Sequence, residues 1–219
     1  MIDRGLIADA DFFRALSGEG LDTVLSVIDR RELRRGNVLF DEGQDANELF
    51  IVETGRIAIA NKSVDGRSSL VALMERGDLF GEMSLFDELG RSAEARALEA
   101  STIYAVPYSP LRDLLHSRPE LLWGIVELMA RRLRSMDEVL ADSVFLDVTG
   151  RTAKRLLELA GDAEEFQLPI TQEELAGMVG ASRERVNKAI ASFINLGWIE
   201  QTDRRYRIID RAQLEQRSR

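Results

Sequence analysis

The chain has 219 residues with a formal net charge of −9, a single histidine and no cysteine. That length holds one large domain or two modest ones with a real core. The absent thiols exclude disulfides, thiol catalysis and cysteine-ligated iron–sulfur chemistry, and one histidine argues against a histidine-built metal site. No segment approaches the ~20 apolar residues of a bilayer-spanning helix, and Met1-Ile2-Asp3-Arg4-Gly5-Leu6 lacks a secretory apolar run. The sequence therefore reads as soluble and cytoplasmic, with no membrane partner.

Apolar spacing predicts short helices over 9–17 and 20–29. From Arg31 to Pro107 the pattern changes to short runs such as Val38-Leu39-Phe40, Leu49-Phe50-Ile51-Val52 and Ile57-Ala58-Ile59-Ala60. Glycines at 36, 43, 55, 66, 77 and 90 punctuate them. Short strands with glycine-containing turns predict a β-barrel or jelly roll, whose sheets enclose a cavity. Val64-Asp65-Gly66-Arg67 suits a hairpin turn, since Asp-Gly tolerates positive φ.

Within this half, Phe80-Gly81-Glu82-Met83-Ser84-Leu85-Phe86-Asp87-Glu88-Leu89-Gly90-Arg91-Ser92-Ala93 carries the parts needed to hold a sugar-phosphate. Gly81 lets the backbone N–H groups at the start of a short helix, around Met83 and Ser84, approach an anion. Arg91 offers a two-pronged charged donor to a phosphate and Ser92 a hydroxyl. Glu82 repels a phosphate but accepts hydrogen bonds from a ribose hydroxyl. A solvated turn is the plainer alternative; the spacing to Arg91-Ser92-Ala93 favours the site.

His116 is read as a surface residue near a helix start. After Pro119, Leu122, Val126, Met129, Leu133, Met136 and Leu140 alternate spacings of four and three, the seam of a coiled coil. A helix serving only its own domain would end sooner, so the stripe predicts a parallel homodimer. Ser143 interrupts the seam, and with Gly150 it marks a hinge.

Residues 147–219 hold 12 acids and 12 bases, which leaves 26 acids and 17 bases, and all of the −9, in 1–146. A neutral C-terminal domain with clustered arginines can present a basic face to nucleic acid. It opens with a helix over Arg151–Ala160 and an acidic connection, 161–166. Thr171-Gln172-Glu173-Glu174 has the form of a capping box. The helix after it ends near Val179-Gly180, Ser182 caps a second from Arg183 to Leu196, and Gly197 ends that one. Two helices joined by a tight turn form a helix-turn-helix. The runs Trp198–Thr202 and Tyr206–Ile209 flank Asp203-Arg204-Arg205 as a hairpin wing, whose Arg204 and Arg205 suit a phosphate backbone. The first turn of the second helix offers Arg183, Glu184, Arg185, Asn187 and Lys188 to base edges.

The Phe80–Ala93 segment resembles the phosphate-binding cassette of the cyclic-AMP receptor protein (CRP/FNR) family of bacterial transcription factors. The resemblance extends through Met129-Ala130-Arg131-Arg132-Leu133 and Phe145-Leu146-Asp147-Val148-Thr149-Gly150-Arg151 to the C-terminus. The stretch Leu175–Glu184 with Val186-Asn187-Lys188-Ala189 is most similar to actinobacterial members. The resemblance implies an α+β fold: a cyclic-nucleotide-binding β-roll over 1–118, a dimerisation helix over 119–146 and a winged helix-turn-helix over 147–219. It implies ribose and phosphate contacts at Gly81, Glu82, Arg91 and Ser92, with Arg132 reaching back from the long helix toward Glu82. It also implies base contacts at Arg183, Glu184 and Lys188, phosphate contacts at Thr171, Glu173, Ser182 and Arg185, palindromic TGTGA-like sites, and RNA polymerase as a partner.

Three departures affect specificity. Lys188 stands for an arginine and Arg185 for a threonine of the best-known member. Met136 and Asp137 replace the Thr-Ser pair that reads adenine, Met136 falling on the seam and Asp137 able to accept from adenine or from guanine. Cyclic AMP is the first reading of the ligand, with cyclic GMP or another nucleotide, or ligand-independent DNA binding, as alternatives. A nucleotide-responsive module acting on a protein partner is the rival of a different class. No nucleophile–base pair, metal cluster or nucleotide-hydrolysing loop points to an enzyme.

Overall fold

The computed structural model describes residues 2–10, 13–14, 16, 18–62 and 68–219. They divide into two compact units, one of Met1–Arg67 with Val71–Leu133 and one of Ser68–Leu70 with Arg134–Arg219. The expected hairpin turn at Val64–Arg67 lies outside the described residues.

In the first unit, helices α1 (Arg4–Asp9) and α2 (Glu19–Val27) precede strands β1 (Asp29–Leu33), β2 (Val38–Phe40), β3 (Glu48–Thr54), β4 (Ile57–Lys62), β5 (Ser68–Met74) and β6 (Leu79–Phe80). The short helix α3 (Met83–Asp87), strands β7 (Glu94–Ala97) and β8 (Ser101–Pro107) and helix α4 (Tyr108–Ser117) follow. Two four-stranded sheets form, ordered β1-β8-β3-β6 and β2-β7-β4-β5. Strands β8 and β3 pair antiparallel, with Phe50 opposite Ala105 and Ile51 opposite Tyr104.

The unbroken apolar runs of these two strands have a simple cause. Successive side chains point to opposite faces of a sheet, and both faces here are buried. Leu49, Ile51, Tyr104 and Val106 join the helices in one core with Leu21, Leu111 and Leu115. Phe50, Val52, Ile103 and Ala105 face a second core between the sheets with Phe40, Ile57 and Phe80. Alanines 95, 97 and 105 on that inner side keep its walls thin.

The first helix lies at Arg4–Asp9, ahead of the expected 9–17, because Asp3 caps it, accepting from the Leu6 N–H at 3.0 Å. Residues 11, 12, 15 and 17 of the expected span are outside the described set. His116 falls in the last turn of α4 and not near a helix start, where its Nδ1 lies 2.7 Å from the Arg112 carbonyl.

Helix α5 runs from Leu122 to Phe145. Ile125 and Leu128 bury one face of it in the helix-side core, beside Leu121 of the short turn just ahead of the helix, and Met129 is partly buried against it. A second apolar row stays open, with Leu122 42%, Val126 54%, Leu133 60%, Met136 64% and Leu140 64% exposed. The long helix thus carries one stripe for its own domain and another left for something else.

The second unit continues with α6 (Val148–Ala160), β9 (Glu165–Gln167), α7 (Gln172–Val179), α8 (Arg183–Asn195), β10 (Ile199–Thr202), β11 (Arg205–Ile208) and α9 (Arg211–Arg217). The break between α5 and α6 falls inside 143–150, the segment expected to hold the hinge. Ser143 does not interrupt α5, because its hydroxyl donates to the Leu140 carbonyl at 2.7 Å and the helix runs on. The break falls at Leu146-Asp147, where Asp147 caps α6, accepts from the Gly150 N–H at 2.8 Å and also pairs with Arg217. Gly150 lies inside α6, and a Cβ there would meet the Arg217 carbonyl oxygen at 3.0 Å. Its role is close packing. The acidic connection at 161–166 conceals β9, whose Phe166 stacks on Tyr206 at 5.6 Å between ring centroids.

Candidate nucleotide cassette and nucleic-acid interface

Strand β6 ends at Phe80, and Gly81 turns the chain with φ +76° into Glu82, the N-cap of α3. A Cβ at Gly81 would sit 2.7 Å from Arg91 Nη1 and 3.3 Å from the Phe50 ring. Only glycine accepts both the dihedral and the contact. Gly81→Ala is therefore expected to cost at least the ~1–2 kcal/mol of a left-handed alanine and to weaken nucleotide binding by displacing Arg91. A urea melt and a nucleotide titration check this; a variant matching the parent in both would refute it.

Arg91 is 5% exposed. Its Nη1 donates to the Gly81 carbonyl at 2.9 Å and to the Tyr108 hydroxyl at 3.2 Å, and its Nη2 to the Glu48 carbonyl at 2.8 Å. The guanidinium lies 4.2 Å over the Phe40 ring and 5.3 Å over that of Phe50. Burial pushes its pKa down, opposed by Tyr108, Glu48 and Glu82. Its Nε has no hydrogen-bond partner. The two prongs expected for a phosphate thus hold the turn in place, and Nε is the donor left open. Tyr108, whose hydroxyl also donates to the Gly81 carbonyl, has its pKa raised mainly by burial.

Glu82 is 1% exposed. Its Oε1 accepts from Arg132 Nη1, while Oε2 is buried with no partner. A buried polar atom without a hydrogen bond is rare and costly, so Oε2 is an acceptor waiting for a donor. A ribose hydroxyl meets that need. Arg132 extends the domain-facing stripe Leu121, Ile125, Leu128 by a further step of four, and its Nη2 donates to the Leu79 carbonyl. One side chain thus ties α5 to both ends of β6 and its turn.

The other expected residues are placed unevenly. Ser84 is buried and Met83 is 45% exposed, with the Ser92 hydroxyl 3.6 Å from its sulfur. Ser92 is exposed. Met136 and Asp137 belong with the second unit and are exposed. Tyr108, Phe40 and Phe50 were not legible as site residues; Phe50 stacks on Phe40 at 5.6 Å and on Phe80 at 5.4 Å, which joins residues far apart in the chain.

In the second unit the capping box at Thr171 is complete. Thr171 Oγ1 accepts from the Glu174 N–H at 3.2 Å, and the Thr171 N–H donates to Glu174 Oε2 at 2.7 Å. Gly180 ends α7 at φ +67°, and Ser182 caps α8 by accepting from the Arg185 N–H at 3.4 Å. Val186, Ala189, Ile190 and Phe193 bury one face of α8. Arg183, Glu184, Arg185 and Lys188 are exposed on the remainder, as is Glu173 on α7. Glu184 and Lys188 pair at 2.8 Å, and this hydrogen bond lowers the Glu184 pKa. Asn187 is half-buried, with a buried Oδ1 that has no partner.

The wing is the β10–β11 hairpin, turned at Asp203 with φ +54°. Its two arginines differ. Arg204 Nη2 donates to the Leu168 and Ile170 carbonyls at 3.0 and 3.3 Å, fastening the wing to the segment before α7. Arg205 has its side chain 72% exposed, 4.0 Å from Glu165. Of the pair, Arg205 is the one whose side chain is left open at the surface.

These two sites define a nucleotide-sensing β-roll carried on the same chain as a winged helix-turn-helix. Comparison with known proteins agrees, since residues 30–118 match the cyclic nucleotide-binding domain and residues 150–217 the Crp-like helix-turn-helix domain. The chain is 35% identical to the CRP-like cAMP-activated global transcriptional regulator of Mycobacterium tuberculosis, over 98% of this chain and 99% of that one. It is 34% identical to the cAMP-activated global transcriptional regulator CRP of Escherichia coli O157:H7, over 70% of this chain and 77% of that one. Among solved structures, the Thermus thermophilus catabolite activator protein is 31% identical over 95% of this chain and 98% of its own, with a TM-score of 0.55. FixK2 of Bradyrhizobium japonicum shares the fold at a TM-score of 0.80 and 20% identity, over 88% and 98% of the two chains. The chain belongs to the CRP/FNR family of transcription regulators. It is a cyclic-nucleotide-regulated DNA-binding protein. No helix among the described residues is long and apolar enough to cross a membrane.

Proposed function

We propose that this chain is a homodimeric regulator whose affinity for palindromic, TGTGA-like DNA is set by cyclic AMP bound at the Gly81–Ser92 cassette. The observation that carries the ligand class is the buried, unpaired Glu82 Oε2 beside the Arg91 turn. A cyclic nucleotide brings a ribose hydroxyl for the first and a phosphate for the second. Cyclic AMP in particular is supported by the names of relatives at 34–35% identity. The exposed apolar row of α5 supports a parallel dimer, which would give two DNA-reading heads a two-fold axis to match the palindrome. RNA polymerase as a partner and a cytoplasmic location accompany this reading, and it assigns the chain no catalytic step.

Cyclic GMP is the second reading, favoured by the carboxylate of Asp137, which satisfies two donors of guanine better than one of adenine. Calorimetric titration with cyclic AMP, cyclic GMP and cyclic di-GMP tests the choice. Tightest binding of cyclic AMP supports the first reading; preference for cyclic GMP, lost in Asp137→Ala, supports the second.

The DNA half makes a separate prediction. Arg183→Ala is expected to cost about 1–3 kcal/mol at the palindrome and to relax preference at one guanine per half-site. Arg205→Ala should instead weaken binding to all sequences alike and reduce the salt dependence. Competition titrations at two salt concentrations separate them, and equal loss of specificity in both variants would mean that helix and wing are misassigned.

A further inference from the structure

Trp123, in the first turn of α5, is 76% exposed. An indole is among the largest apolar surfaces a side chain can bury, so one left open on a rigid helix asks for a partner. In the same unit lies a groove of about 390 Å³ walled by Leu85 and Phe86 of α3, Leu115 of α4 and Leu122 of α5. Glu88, Arg112 and His116 supply its polar lining. Leu122 belongs both to this groove and to the open seam, so the groove is continuous with the surface assigned to the dimer.

The heptad register says what reaches it. With Val126, Leu133 and Leu140 at a and Leu122, Met129 and Met136 at d, Trp123 occupies an e position. In a parallel two-stranded coil, an e side chain flanks the seam and helps form the hole that receives the d side chain of the same layer on the other helix. The d residue of that layer is Leu122, the first residue of α5 and a wall of the groove. The register therefore sets the indole of one copy against the Leu122 wall of the other copy's groove.

We propose that this groove is the socket for Trp123 of a second copy of the chain, occupied twice in the two-fold dimer. The inference rests on the parallel dimer proposed above. The four apolar walls match the indole's body, and Arg112, which pairs with Glu88 at 3.4 Å, supplies a cation able to lie against its face. Because Leu85 and Phe86 belong to α3, the socket sets the cassette helix of one subunit against the partner subunit's Trp123. Nucleotide at the cassette and association of the two chains then bear on the same helix.

The chain has two tryptophans, Trp123 and Trp198, so Trp198→Phe leaves Trp123 as the sole reporter. Sedimentation fixes the oligomeric state, and fluorescence is read on the same samples. In the dimer, Trp123 emission should be blue-shifted and acrylamide quenching reduced severalfold relative to the unfolded chain. In the parent background, Trp123→Ala should weaken dimerisation about tenfold to a hundredfold. Since the chain has no cysteine, Trp123→Cys chains mixed with His116→Cys chains should form an interchain disulfide, which serves if Trp198→Phe fails to fold. A dimer whose Trp123 is freely quenched, or in which the mixed disulfide does not form, overturns the socket and leaves the dimer standing. A monomer at all concentrations overturns both.

Discussion

Arg132→Ala is expected to destabilise the first unit by about 3 kcal/mol, the lower end of the ~3–5 kcal/mol seen when one partner of a buried ion pair is removed. Glu82 is 1% exposed and already has one oxygen without a partner; taking away Arg132 strips the other. The Leu79 carbonyl loses a donor in the same change. The lower end of the range applies because the Arg132 side chain is 31% exposed and water partly compensates. Glu82→Gln combined with Arg132→Ala should recover part of the loss, since an amide tolerates burial better than an unpaired carboxylate. Urea denaturation of the parent, the two single variants and the double variant measures the coupling. A loss below about 1 kcal/mol for Arg132→Ala would show that the pair contributes no more than a surface contact does.

Arg91→Ala carries the second large effect, on binding. A charged hydrogen bond to phosphate is worth about 1.5–3 kcal/mol, or roughly ten- to a hundredfold in affinity. The geometry adds to this. Arg91 holds the Gly81 and Glu48 carbonyls and fills the space over Phe40, so the alanine variant loses the shape of the turn along with the charge. Nucleotide affinity should fall by more than a hundredfold, and the melting temperature should fall as well. Circular dichroism at the titration temperature establishes that the variant is folded. Unchanged affinity in a folded variant would reduce Arg91 to a structural strut.

Much of this was readable in the chain because the signals are local. Gly81, Glu82 and Arg91-Ser92 lie within twelve residues, and the seam of α5, the capping box at Thr171 and the cap at Ser182 each depend on fixed short spacings. What escaped the sequence depends on distant backbone. Arg91 is bonded to the carbonyl of Glu48 and Arg204 to those of Leu168 and Ile170, and a carbonyl is the same at every residue, so no side-chain pattern marks it. Strand β9 was hidden because its two flanking side chains are exposed and only Phe166 is half-buried, which leaves no alternation to detect. Gly150 was misread for a related reason, since its neighbour across the unit is the C-terminal helix, almost seventy residues away.

The central claim is that nucleotide and DNA act on one equilibrium of one protein. A ligand shifts that equilibrium only by binding the DNA-competent arrangement more tightly, and the coupling is then reciprocal. The most direct measurement is a calorimetric titration of the full chain with cyclic AMP, in the absence and presence of saturating palindromic DNA. DNA should raise nucleotide affinity by the same factor by which nucleotide raises DNA affinity, about 5–150-fold for ordinary allosteric couplings. Equal nucleotide affinities with and without DNA would contradict the account.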